Sequence, residues 1–335
     1  MIHRNSSSLQ IADWQNQLNQ AVKDPKVLFE LLQLPRAYLP KALQASQSFP
    51  LKVPVAFLSR MKIGDINDPL LRQVLPMDYE LVKKPGFHAD PVGDRDAEKL
   101  PGLIHKYKSR VLLTLTGACG IHCRYCFRRH FDYSASNPGR KYWLDVLEYL
   151  RKHIDVNEVI FSGGDPLSLS DARLGELIKD LATIEHLRFL RLHTRLPVVI
   201  PSRVTPALVE MLQNTPLKTF VVLHVNHPQE IDDSLANTIT QLKKANIDLL
   251  NQSVLLTGVN DNIDALVKLS LDLGELGVIP YYLHMLDRVE GAWHFEVTDE
   301  DAENLVQSLR AELPGYLVPR LVRDVPGNMS KINLI

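Results

Sequence analysis

From residue 110 onward the chain alternates short runs rich in β-branched and aromatic residues with longer stretches of helical apolar spacing. That alternation limits the available folds more than any other feature. The runs are RVLLTLT (110–116), NEVIFSGG (157–164), LRFLRLHT (187–194), LKTFVVLHVNH (217–227), IDLLNQSV (247–254) and VIPYYLHML (278–286). Between them lie YWLDVLEYLRKH, LGELIKDLAT, PALVEMLQN, DSLANTITQLKKAN and IDALVKLSLDLGELG. Such a series predicts parallel strands joined by crossover helices, because parallel neighbours cannot be linked by a tight turn. The expectation is an α/β fold built on a partial (β/α)6 barrel of the TIM type, with Pro280 at a strand start or an edge.

Residues 9 to about 85 read as helical, and DPKVLFELLQLP and NDPLLRQVLP are each bracketed by helix start and stop residues. KKPGFHADPVGDRDAEKLPG (83–102) is rich in Pro, Gly and Asp and reads as a loop and natural boundary. The expected organisation is therefore a helical region with its loop over 1–109, the partial barrel over 110–290 and a short C-terminal segment over 291–335. The net charge of -1 gives no global field that would recruit nucleic acid or an anionic membrane. Apolar runs such as VLLTL and PVVIP are too short to span a bilayer, and MIHRNSSSLQIADWQNQLNQ lacks the apolar core of a signal peptide.

Polar residues gather at the carboxyl ends of the predicted strands: Cys119 after the first, Ser162, Gly163, Gly164 and Asp165 after the second, His193 and Arg195 after the third. Asn226 and His227 end the fourth, Gln252 and Ser253 the fifth, His284 and Asp287 the sixth. In parallel β/α folds that edge is where binding sites are built.

The chain has three cysteines, Cys119, Cys123 and Cys126, all within GACGIHCRYCFRRHF (117–131). An odd, clustered set does not suit a secreted disulfide framework and predicts a reducing, cytoplasmic setting. Three thiolates on one loop suit a [4Fe–4S] cluster with one iron left open, or a zinc site completed by His122 or His130. His224 and His227 point to opposite faces of a strand and suit cofactor contacts better than a shared metal. The local arginines of RYCFRRHF are better explained by the cysteines than by a nucleic-acid stripe. Near the other end of the sequence, Lys331 reads either as an exposed tail lysine or as a Schiff-base lysine for pyridoxal phosphate.

The segment CGIHCRYC resembles the motif of the radical S-adenosylmethionine superfamily, C-x3-C-x-φ-C, with Tyr125 as the aromatic residue. FSGGDPL (161–167) matches the superfamily's glycine-rich element. The resemblance implies that the open iron chelates S-adenosylmethionine, with Tyr125, Ser162, Gly163, Gly164, Asp165, His193 and Gln252 as cofactor contacts. Within that superfamily the chain resembles the lysine 2,3-aminomutases. The matching segments include HKYKSRVLLTLTGACGIHCRYCFRRHF, LRLHTRLPVVIPSRV, HVNHPQEI, NQSVLLTGVND, YYLHMLDRVEGAWHF and the D-x-P-G-x-x-x-K tail, Asp324 to Lys331.

This likeness implies an isomerase that shifts the amino group of L-lysine from Cα to Cβ, with Lys331 as the pyridoxal phosphate lysine and Arg110 on its phosphate. Arg128 matches the arginine that grips the substrate carboxylate, and Asp287 and Asp324 the two acids that receive its distal ammonium. LHTRLPVVIP, LHVNHPQEID and His284, where other members carry a tyrosine, bring the chain closer to the EpmB-type branch. That branch supplies (R)-β-lysine for modification of translation elongation factor P. The implied partners are lysine, the elongation factor P pathway with its ligase, an external electron donor and a second copy in a homo-oligomer.

Overall fold

The computed structural model describes residues 6–134, 136 and 142–335, with side chains from Asp13 onward in the first helix. A single sheet of 10 strands runs in sequence order. Its strands are β1 (Glu98–Leu100), β2 (Leu103–Tyr107), β3 (Arg110–Thr114), β4 (Glu158–Ser162), β5 (Phe189–Thr194), β6 (Lys218–Leu223), β7 (Asp248–Val254), β8 (Ile279–His284), β9 (Arg320–Arg323) and β10 (Ile332–Asn333). The strands from β3 to β9 are mutually parallel, while β1, β2 and β10 pair antiparallel at the two edges. The sheet therefore stays open, and the partial-barrel expectation holds.

The six expected strands are all present, and β9 adds a seventh to the parallel series. The hairpin of β1 and β2 falls where a boundary loop was expected. Its turn passes through Gly102, whose φ of +80° puts it in the left-handed region that favours glycine.

The crossover helices form where the sequence places them, and oxygen-bearing caps fix their starts. Ser170, Thr205, Asp232 and Asn262 accept from Arg173, Leu208, Leu235 and Ala265 backbone N–H groups, opening Asp171–Leu181, Pro206–Asn214, Asp233–Lys244 and Ile263–Glu275. Alternation does the rest. On β4 and β5, Val159, Phe161, Leu190 and Leu192 face outward into a core shared with Leu147, Leu150, Leu177 and Ile178 of the helices. The intervening Glu158, Ile160, Ser162, Arg191 and His193 face the hollow of the sheet. Among the described residues no helix is long and apolar enough to cross a membrane.

The helical N-terminal region does more than pack against the flank. Glu80, 6% exposed, accepts from Arg124 Nε at 2.9 Å and from Arg129 Nη2 at 3.0 Å, and both guanidiniums lie over the Phe49 ring. Arg124 and His122 also donate backbone N–H bonds to the Gln73 and Lys52 carbonyls. The cysteine loop is thus clamped between the sheet edge and the N-terminal region. Removing one buried carboxylate from this group strands two guanidiniums without a counter-charge. Glu80→Gln, which keeps the side chain's size, is expected to cost about 3–5 kcal/mol of stability, read from denaturant unfolding, because the arginines lose their counter-charge.

Candidate active site

The carboxyl ends of the parallel strands surround a cavity of about 720 Å³. The three cysteines and every residue that the resemblance assigns to a cofactor or the substrate line it, whereas His130, the alternative zinc ligand, does not. Cys119, Cys123 and Cys126 lie in the same hollow as Lys331, Asp287 and Asp324. Three strand-end residues do not line it. Asn226 is fully buried, Ser253 donates to the Val225 carbonyl, and His227 caps the short turn Pro228–Glu230.

The three cysteines are unpaired thiols. Burial pushes the Cys119 thiol well above its ordinary range, the charges of Cys126, Asp165 and Cys123 adding to it, and burial raises Cys126 to about 11. Metal ions sharing the loop would favour the thiolate forms. Among the described residues no three Cys, His, Asp or Glu side chains converge on a single ion. A tetrahedral zinc at about 2.3 Å from each sulfur demands such convergence. A cluster does not, because each thiolate takes its own iron. The donor set fits an iron–sulfur cluster.

Beside the loop, the Gly164 N–H donates to the Thr116 carbonyl at 2.7 Å and the Asp165 N–H to the Ala118 carbonyl at 2.8 Å, so the second strand end is zipped to the cysteine loop. Asp165 is among the expected S-adenosylmethionine contacts. Its oxygens instead accept from Thr194 Oγ1 and from the backbone N–H groups of Leu167, Arg195 and Leu196. Four donors fill the acceptor sites of a carboxylate. Tyr125 is likewise committed, its hydroxyl meeting Arg195 Nη1 at 2.6 Å and Asn226 Nδ2 at 2.7 Å.

His193 and His224 differ from both. Each lines the cavity with a buried Nε2 atom that has no partner, and burial holds each imidazole neutral, with His224 lowered to about 3. Unpaired buried polar atoms call for an explanation, and a ligand seated against these two side chains would supply one.

The cavity also holds charged groups. Lys331 Nζ meets Asp324 Oδ2 at 2.7 Å, and Tyr107 donates to Asp324 Oδ1 at 3.3 Å. Asp287 lies close enough for both to perturb it, and burial lifts its carboxyl to about 7 against the pull of Lys331. Arg128, 7% exposed, donates from Nε to Asp94 at 2.7 Å and from Nη1 to Ser162 Oγ at 3.1 Å. Lys106 pairs with the other Asp94 oxygen at 2.6 Å. Arg110 stacks on the Tyr107 ring at 4.4 Å.

On β8 the pairing with β7 skips Tyr281, a bulge that turns both Tyr281 and Tyr282 into the cavity with their hydroxyls 2.8 Å apart. Sequence reasoning missed Asp94, Lys106, Tyr107 and the tyrosine pair. For Asp94 the helix-start pattern G-D-R-D was the available signal.

With this geometry in place, comparison with known proteins is informative. Residues 113–269 match the family model described as Radical SAM superfamily. The chain is 44% identical to the L-lysine 2,3-aminomutase of Haemophilus influenzae, over 95% of this chain and 94% of that protein. It is 45% identical to the L-lysine 2,3-aminomutase of Escherichia coli, over 96% of this chain and 94% of that protein. The enzyme of that name from Clostridium subterminale is 33% identical, over 95% of this chain and 77% of its own length.

A methyl group at Gly164 would stand 2.4 Å from the Ala118 carbonyl oxygen and 2.8 Å from its carbon, backbone atoms that no side-chain rotation relieves. Gly164→Ala is expected to cost about 1–3 kcal/mol and to displace the cysteine loop. Iron bound per chain after anaerobic reconstitution should fall below that of the parent, as colorimetric iron analysis will register.

Proposed function

The chain belongs to the L-lysine 2,3-aminomutase family of radical S-adenosylmethionine isomerases, and from that premise we propose that it converts L-α-lysine to (R)-β-lysine for modification of elongation factor P. One observation carries the reading: a single cavity is lined by both the three-cysteine loop and Lys331. The likeness of LHTRLPVVIP, LHVNHPQEID and His284 to that branch supports the choice. The proposal includes a cytoplasmic setting, an external low-potential electron donor and a functional link to the elongation factor P ligase.

In this reading Cys119, Cys123 and Cys126 hold the [4Fe–4S] cluster. Ser162, Gly163, Gly164, His193 and Gln252, with the Tyr125 ring, line the S-adenosylmethionine site. Asp165 supports that site by fastening its backbone, and Lys331 and Arg110 hold pyridoxal phosphate. When bound, these groups supply a radical that removes hydrogen from Cβ and a carrier for the migrating nitrogen.

The protein's own contribution is placement. Arg128 offers a planar guanidinium to the substrate carboxylate, and Asp94 and Ser162 hold its orientation. Asp287 and Asp324 face the distal ammonium, a charge that must be countered in a desolvated pocket. Gripping lysine at both ends fixes which carbon faces the cysteine wall. Asp324 has two successive duties. It neutralises the Lys331 ammonium at 2.7 Å, and it becomes available to the substrate ammonium once the Lys331 amine is committed to the cofactor. Lysine therefore binds best to the cofactor-loaded enzyme.

Anaerobic incubation with L-lysine, S-adenosylmethionine, pyridoxal phosphate and a reductant, followed by chiral product analysis, should yield (R)-β-lysine. Full turnover of glutamate with none of lysine would overturn the assignment. Arg128→Ala should lose turnover, by about 2–5 kcal/mol in kcat/KM, with the cluster's absorption spectrum intact. The raised Asp287 carboxyl sets the pH dependence. Asp287 is protonated below about 7 and ionises as pH rises through that value, so kcat/KM for lysine should climb across that window. Asp287→Asn should flatten the rise.

A further inference from the structure

Arg195 was noted only as a strand-end residue, and the proposed reaction gives it no task. It is 6% exposed. Its Nη1 donates to Cys123 Sγ at 2.8 Å and to the Tyr125 hydroxyl at 2.6 Å. Nη2 donates to Gln73 Oε1 at 2.6 Å and to Glu230 Oε2 at 3.0 Å. The backbone N–H of the same residue donates to Asp165 Oδ2 at 2.8 Å.

The guanidinium is not free to drift from the sulfur. Glu230, fully buried, accepts from Arg195 with one oxygen, while its other oxygen takes Gln73 Nε2 at 3.0 Å and the Asn226 N–H at 3.1 Å. Such a lattice holds a full positive charge at hydrogen-bond distance from one of the three thiols in a site shielded from water. Hydrogen bonds and charge at the sulfurs set the reduction potential of an iron–sulfur cluster.

Resting on the family reading, we infer that Arg195 is a positioning residue for the cysteine loop whose fixed charge at Cys123 sets how readily the cluster accepts its electron. One-electron reduction, by a low-potential external donor, adds one negative charge to the cluster and its thiolates. A cation held at Sγ stabilises the reduced state more than the oxidised one. Replacing Arg195 by a neutral residue removes that charge and leaves Glu230 unbalanced nearby, and both changes disfavour reduction. Replacing Glu230 by its amide leaves the guanidinium uncompensated and favours reduction. The two substitutions therefore push in opposite directions, which a purely structural role would not produce.

The test uses the full chain reconstituted anaerobically with iron and sulfide. The reduced cluster's electron paramagnetic resonance signal is followed against poised redox dyes without substrate. Arg195→Gln should lower the ratio of reduced to oxidised cluster about tenfold at a given potential, which is 59 mV for a one-electron couple. Arg195→Lys should fall between it and the parent, and Glu230→Gln should shift the midpoint upward. If Arg195→Gln fails to retain the cluster, opposite shifts in Arg195→Lys and Glu230→Gln carry the decision. Variants that retain the cluster with an unchanged midpoint overturn the inference. So does cluster loss in both Arg195 variants, which assigns the residue to folding alone. Addition of S-adenosylmethionine to the parent checks the family reading separately: a silent parent signal sinks that reading, whereas a responsive parent with indistinguishable variants sinks only the role of Arg195.

Discussion

The structure depends on burying charge around a loop that brings none of its own counter-ions. Arg124 and Arg129 share Glu80, Arg195 shares Glu230, and Arg128 shares Asp94. Each carboxylate comes from an element outside the cysteine segment. An isolated buried guanidinium costs several kcal/mol, so the loop adopts its position only when those elements have already come together. That requirement explains why the N-terminal region, which lies outside the strand–helix series, is bonded so closely to the strand edge.

The same logic runs through the cavity. Asp165, beside the cysteine loop, is saturated by four donors. Asp287, Asp324, Lys331 and Arg128 leave an unevenly balanced set of charges around the hollow. A zwitterion with an extra ammonium matches that polarity, and an extra carboxylate would be repelled. Selectivity and orientation thus arise from one arrangement of charges.

Much of the architecture was legible because a parallel sheet writes itself as repeated β-rich runs. The six long runs and their five crossover helices were visible for that reason. β9 was not, because Arg320–Arg323 is four residues long with arginines at both ends. The hairpin at Glu98–Tyr107 hid in a segment full of turn formers. At the site, strand-end position and the cysteine spacing led to part of the cavity lining, whereas Arg110, Arg128, Asp324 and Lys331 were reached through the family resemblance. What stayed hidden were partners remote in sequence, such as Cys123 and Arg195, 72 positions apart. Asp94 was hidden differently: it stands among Asp90 and Asp96 in a stretch that reads as a solvated loop, yet it is 3% exposed. Composition does not say which of several aspartates turns inward. Asp165 was found by its motif, but its saturation depends on the fold of the third strand end.

The extra residue on β8 has a consequence for how this chain tolerates change. Beyond the skipped Tyr281, the strand resumes ordinary pairing, with Tyr282, Leu283 and His284 opposite Gln252, Ser253 and Val254. Side chains on a strand alternate, and without Tyr281 the residues Pro280, Tyr282, Leu283 and His284 would stand in plain register opposite Asn251, Gln252, Ser253 and Val254. Leu283 would keep its apolar packing and His284 its place at the hollow. Shortening by one codon is therefore open to this stretch, at the loss of one tyrosine from the cavity wall.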